Sequence, residues 1–252
     1  MAASFPWGWW SFDLGKYRRC DDTYALYTYE SLPPLDPALL RGDFAWLTPV
    51  RSRRKAGKPA PLFARAAALG LTLPPAFERF MSAPELRAAV PSCTACEWDP
   101  SSAPVPCRVV PGAFTVRVLR DQQDCLFWYI HLLPDGDAHV LCSPIPFDDP
   151  ALAVSPATVE ANTWWVAPDL ETFVYRFWIE NTIWGQLNSR APELTPEQRE
   201  YLEFYSADAG RRGDHPPKLA LRGAKKATAP RPIKRTAAAR LAAQAAREGK
   251  RA

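Results

Sequence analysis

The chain is poor in the patterns that most catalytic and membrane functions leave in a sequence. Its 252 residues include only three histidines, so an imidazole-based triad or a histidine-rich metal centre would have few side chains to draw on. It contains no G-x-S-x-G elbow, no phosphate-cradling glycine loop, no H-E-x-x-H and no dinucleotide fingerprint, which sets aside the motif-bearing hydrolases, nucleotide enzymes and zincins. Catalytic carboxylates carry no such signature, so the exclusion stops there. No stretch reaches the roughly 20 apolar residues of a membrane span. The opening MAASFPWGWW lacks the positive region and continuous apolar run of an export signal. The expectation is a cytoplasmic chain with no membrane contact, no cofactor and reduced thiols at its six cysteines, 20, 93, 96, 107, 125 and 142.

What is abundant is apolar and aromatic. With 47% apolar residues, 12% aromatics and 27 prolines, the chain can build a substantial core whose segments are joined by many proline-punctuated connections. Charge is distributed unevenly. Residues 218–252 hold eleven Lys and Arg and one acidic residue, Glu248, which leaves a balance of about −6 for residues 1–217. The body is thus mildly acidic, and the tail alone has the composition to seek phosphates.

Periodicity divides the chain into helices and strands. Thr23 to Tyr29 alternates as a short strand. PLFARAAALG reads as a helix with Leu62, Phe63, Ala66, Ala67 and Leu69 on one side and Gly70 as its stop. Pro74 and Pro75 open a second helix carrying Phe77, Phe80 and Met81, and Ser82 with Glu85 matches a capping box for a third. FTVRVL at 114–119 alternates, and CLFWYIHLL at 125–133 with AHVLCS at 138–143 forms a hairpin around Asp135 and Gly136. Pairing Pro134 with Asp137 puts Tyr129, His131, Val140 and Cys142 on one face, and Trp128, Ile130, His139 and Leu141 on the other. Both faces are apolar, so the hairpin should lie centrally with material packed on each side. Residues 169–187 form the strongest helix, capped by Asp169, with Asn181 on the same stripe as Phe173, Val174 and Phe177. An amide there must find hydrogen bonds. Thr195 and Gln198 form another capping box, for a helix carrying Tyr201, Leu202 and Tyr205. The predicted fold is α+β, a central antiparallel sheet flanked by helices over residues 1–207, followed by a disordered basic tail, 208–252, whose composition cannot offset chain entropy.

Three groups of residues could carry chemistry. Cys93 and Cys96 form a C-x-x-C pair that could clasp zinc or cycle between dithiol and disulfide. It stands without a second pair, and the expected register places His131 and His139 on opposite faces, so free thiols and no metal are predicted. Asp121, Asp124, Asp135 and Asp137 flank the hairpin and are the candidate partner-binding carboxylates, with solvated turn residues as the plainer reading. The clusters Trp7/Trp9/Trp10 and Trp164/Trp165 suit either a binding surface or, more commonly, core packing.

GLTLPPAFERFM (70–81), the hairpin FWYIHLLPDGDAHVL (127–141) and FVYRFWIENTIW (173–184) together resemble the SUKH superfamily of cell-wall-assembly regulators and immunity proteins of bacterial polymorphic toxins. Gly70, Leu73, Pro74, Phe77 and Phe80 match its G-x-x-L-P-x-x-aromatic-x-x-F entry, Phe173, Phe177 and Trp184 suit its closing helix, and the match covers about residues 60–190. The resemblance implies a non-enzymatic module that binds and occludes a protein partner such as a nuclease-type toxin. The alternative expectation is a nucleic-acid-associated or regulatory protein, with weak phosphate contact through Lys225, Lys226, Arg231, Lys234 and Arg235 of the tail.

Overall fold

The computed structural model describes residues 5–51, 59–149 and 153–207. Most of the basic stretch at 51–59 and the whole of 208–252, with the tail's candidate phosphate contacts, lie outside them. Among the described residues the period-two segments become two antiparallel sheets and the period-3.6 segments become helices, the α+β architecture expected. Five strands follow one another in spatial order: β3 (Val105–Pro106), β4 (Phe114–Arg120), β5 (Phe127–Leu132), β6 (Ala138–Ser143) and β7 (Trp164–Ala167). A second sheet pairs β1 (Gly8–Ser11) with β2 (Ala25–Thr28). The two meet where Trp7 bridges Trp165 in parallel and the Trp165 N–H donates to the Pro6 carbonyl at 2.9 Å.

β5 is buried at all six positions, because its apolar run leaves no wet face. On one side Trp128, Ile130, Val140 and Cys142 pack with α1 (Ala60–Ala68), α2 (Pro75–Ser82), α3 (Pro84–Ala88) and the long α5 (Leu170–Leu187). On the other, Phe127, Tyr129 and Leu141 lie under Phe5, Val110, Ile145, Phe147 and Val159 of α4 (Pro156–Ala161). Each fully buried side chain of this size contributes about 1.5–3 kcal/mol. α5 begins where the Asp169 carboxylate accepts the Thr172 N–H at 2.8 Å. Its far side, Tyr175, Ile179 and Ile183, is covered by Phe12, Leu14 and by Tyr201, Leu202 and Tyr205 of α6 (Pro196–Ala207). α6 opens on the predicted reciprocal cap: Thr195 N–H donates to Gln198 Oε1 at 3.0 Å, and Gln198 N–H to Thr195 Oγ1 at 3.2 Å. No helix among the described residues is long and apolar enough to cross a membrane.

Three expectations are corrected. The β5–β6 loop has three residues, Pro134 to Gly136. Leu133 N–H donates to the Asp137 carbonyl at 2.8 Å, and Gly136 sits at φ 94°, as a type I turn closed by a left-handed residue requires. Leu132 therefore pairs with Ala138 and His131 with His139, one residue away from the expected register, so β6 turns its other face to the helices. With both sides apolar, the pattern held no preference to oppose the slip. Ser82 does not cap α3: it still belongs to α2, and Ala83 takes the cap position without a side-chain bond. α1 packs through Leu62 and Ala66, while Leu69 is 52% exposed.

Candidate functional site

The most densely bonded ionic cluster is internal. The fully buried Glu180 carboxylate accepts from Arg18 Nη1 at 2.6 Å and Nη2 at 2.8 Å, from Trp9 Nε1 at 2.8 Å, from the Ser11 hydroxyl at 2.5 Å and from the Tyr201 hydroxyl at 2.7 Å. Arg18 also donates to Tyr205 at 2.9 Å, with its guanidinium over the Tyr27 ring at 4.5 Å. Burial alone would push the Glu180 carboxyl up; the charge of Arg18 and the hydrogen bonds of Arg18, Ser11 and Trp9 overcome it and hold the carboxyl below its usual range. A second α5 carboxylate, Glu171, accepts the Phe44 N–H at 2.6 Å, Trp46 Nε1 at 3.1 Å and the Gly42 N–H. Arg176 reaches the Tyr201 hydroxyl and the Pro33 carbonyl, both at 3.1 Å. These side chains pin β1, the loops after it and α6 onto α5. Ser11, the hydroxyl facing Glu180, is 1% exposed, so the pair has no access to a substrate.

A solvent-facing cluster forms on β4. A bulge between Arg117 and Leu119 breaks the alternation and puts Arg117 and Arg120, three residues apart, among the same carboxylates. Arg117 pairs with Asp148 at 2.8 Å and Asp99 at 3.2 Å; Arg120 pairs with Asp99 and Asp124, both at 2.9 Å, and with Glu97 at 3.4 Å. Asp149, Phe127 and Pro146 complete an open pocket of 290 Å³ with them. Five carboxylates around two guanidiniums leave the rim negative. The described residues as a whole carry 24 Asp and Glu against 14 Lys and Arg, so the field outside this rim is negative too.

The four predicted aspartates do not form one patch. Asp124 belongs to the cluster, exposed and paired with Arg120. Asp121 is 3% exposed and is spent internally, accepting the Tyr24 hydroxyl and the Gln123 N–H, both at 2.7 Å, so it is not open to a partner. Asp135 and Asp137 are exposed at the opposite end of β5, about 20 Å away at some 3.3 Å per residue. Glu97, Asp99, Asp148 and Asp149 were missed, since they come from loops that only the folded sheet gathers around Arg117 and Arg120.

The cysteine pair is chemically quiet. Burial pushes the Cys93 thiol up to about 12 and raises Cys96, whose sulfur contacts the Thr94 and Tyr24 hydroxyls at 3.3 and 3.4 Å. Both stay protonated at neutral pH, the form that neither attacks nor ligates. The Cys93 N–H is bound by Asn181 Oδ1 at 2.7 Å, while Asn181 Nδ2 donates to the Phe177 carbonyl at 2.8 Å, which satisfies the amide on the apolar stripe. His131 and His139 are direct cross-strand partners, contrary to the expected register. Even so, no group of three His, Cys, Asp or Glu among the described residues could hold a metal. His131 has no exposed surface, and neither ring nitrogen has a hydrogen-bond partner among the described residues. Burial and then the nearby His139 push it down to about 4. Of the tryptophans, Trp9, Trp10 and Trp165 are buried and Trp7 is 41% exposed. No protein-family model, curated protein or solved structure matches this chain.

Proposed function

We propose that the chain is a non-enzymatic, cytoplasmic protein-binding module, resembling SUKH-type immunity proteins, that neutralises a basic partner such as a nuclease-type toxin. The observation that carries this reading is the carboxylate rim around Arg117 and Arg120 on an acidic body. Long-range attraction from such a rim steers a basic surface toward it and raises the association rate. The internal placement of Glu180, Ser11 and Arg18 accords with it, because the best-organised polar groups of the fold hold elements together and face no substrate.

The experiment is to co-express the full chain with the product of the adjacent large gene and to measure rescue of growth and direct binding. In the variant Glu97→Gln, Asp124→Asn, Asp149→Asn, all three positions exposed, association should slow by about tenfold and lose much of its salt dependence. Absence of any protein complex, together with turnover of a small substrate that one point substitution abolishes, would sink the reading.

A further inference from the structure

Beside the acidic rim, and sharing only Asp99 with it, lies a second pocket of 300 Å³. Its floor is apolar: Leu62 is 1% and Met81 2% exposed, and the Trp98 indole is held edge-on against Phe80 with ring centroids 4.7 Å apart. Ser101 and Asp99 lie on its wall. Its cation is Arg87. Arg87 Nη1 donates to the carbonyls that end α2, Phe80 at 3.1 Å and Met81, and among the described residues Nε and Nη2 have no acceptor. No carboxylate among the described residues is ion-paired with it, unlike Arg18, Arg117 and Arg120. Burial lowers its pKa from the ordinary value, opposed by the more distant Glu85. A half-buried guanidinium whose remaining donors reach solvent, set beside an apolar floor, is open to an anion that also carries an apolar body.

We propose that this pocket binds a small carboxylate with an apolar body, the carboxylate on the free edge of Arg87 and the body on Leu62, Met81 and Trp98. The volume lies at the lower end of the range for ligand pockets, roughly 300–1,000 Å³, which selects a compact ligand. A planar carboxylate matches the guanidinium fork, and the apolar floor favours a ligand with an apolar body over inorganic phosphate. The site shares Asp99 alone with the acidic rim, so carboxylate binding here is independent of partner binding there.

The test uses the full-length protein, ¹⁵N-labelled at tryptophan, titrated with phenylacetate, phenylacetamide, phenethylamine and inorganic phosphate. The Trp98 indole resonance is identified by its loss in Trp98→Phe. Phenylacetate should shift that resonance saturably and bind at least tenfold tighter than the amide, while the amine and phosphate leave it in place. Arg87→Gln should abolish the preference of phenylacetate over the amide. Arg87→Lys, which keeps the charge and loses the fork, should retain a weakened preference, and this separates anion recognition from any loss of the α2 cap. Equal affinity for phenylacetate and phenylacetamide, an unmoved Trp98 resonance, or a preference untouched by Arg87→Gln in a folded variant would each overturn the site.

Discussion

Replacing His131 by phenylalanine should make the protein more stable in acid relative to its parent, by an amount that depends on pH in a defined way. The ring is walled by Phe5 and Trp165, with Thr115 opposite it on β4 and His139 on β6, and its nitrogens have no partners among the described residues. Its pKa is about 4 in the fold against an ordinary 6.5. The unfolded chain therefore takes up a proton as pH falls through 6.5, whereas the folded chain does not until about 4, so stability is present above 6.5 and lost across that window. Linkage puts the loss at about 2 kcal/mol by pH 5 and about 3 kcal/mol by pH 4, against nearly nothing at pH 7.5. Urea unfolding followed by tryptophan fluorescence at these three pH values reads it out. The carboxylates titrate in the same interval, but they do so in parent and variant alike and cancel in the difference. At pH 7.5 the variant should already gain, because two unsatisfied nitrogens leave the core at a saving of about 1–3 kcal/mol, offset in part by the bulkier ring. A parent-minus-variant difference that stays flat from pH 7.5 to 4 would show that His131 is hydrated or protonated in the fold, and the reasoning would fall.

Removing the charge of Glu180 strands Arg18 in the core among Tyr201, Tyr205 and Ser11. Glu180→Gln should cost about 3–5 kcal/mol in chemical unfolding, and a cost under 1 kcal/mol would mean that the network is solvated. Among the six free thiols Cys125 is exposed, Cys142 buried and Cys93 raised by burial. A disulfide reagent at neutral pH should label Cys125 first and Cys93, Cys96 and Cys142 slowly, as mapped by mass spectrometry; rapid labelling of Cys93 would contradict the structure.

Local chemistry was readable wherever one short segment contained both partners of an interaction. The Thr195–Gln198 cap, the Asp169 cap and the entry of α2 at Pro75 lie where their residue types put them, because each depends on backbone groups within a turn of the side chain. Ser82 shows the limit. Its box was intact, but α2 continued through it, and a residue already in one helix cannot cap the next. β1, β3, β7 and α4 escaped notice: two to six residues long, they carry too little period to separate them from loops.

The sequence by itself determined that the body is α+β, that the 127–143 hairpin is its centre with both faces buried, and that Asn181 must be bonded, since apolar period and the cost of an unpaired amide are properties of the chain. Tertiary structure decided what those patterns left degenerate. A three-residue loop instead of two slid β6 and brought His139 opposite His131. A bulge in β4 gathered Arg117 and Arg120 with carboxylates from residues 97 to 149, and α5 drew Arg18 from 162 residues away onto Glu180. The physical reason is common to all three. Register and long-range ion pairing are set by the packing of segments distant in the chain, and no local propensity distinguishes the charge that will be buried from the one that will meet solvent.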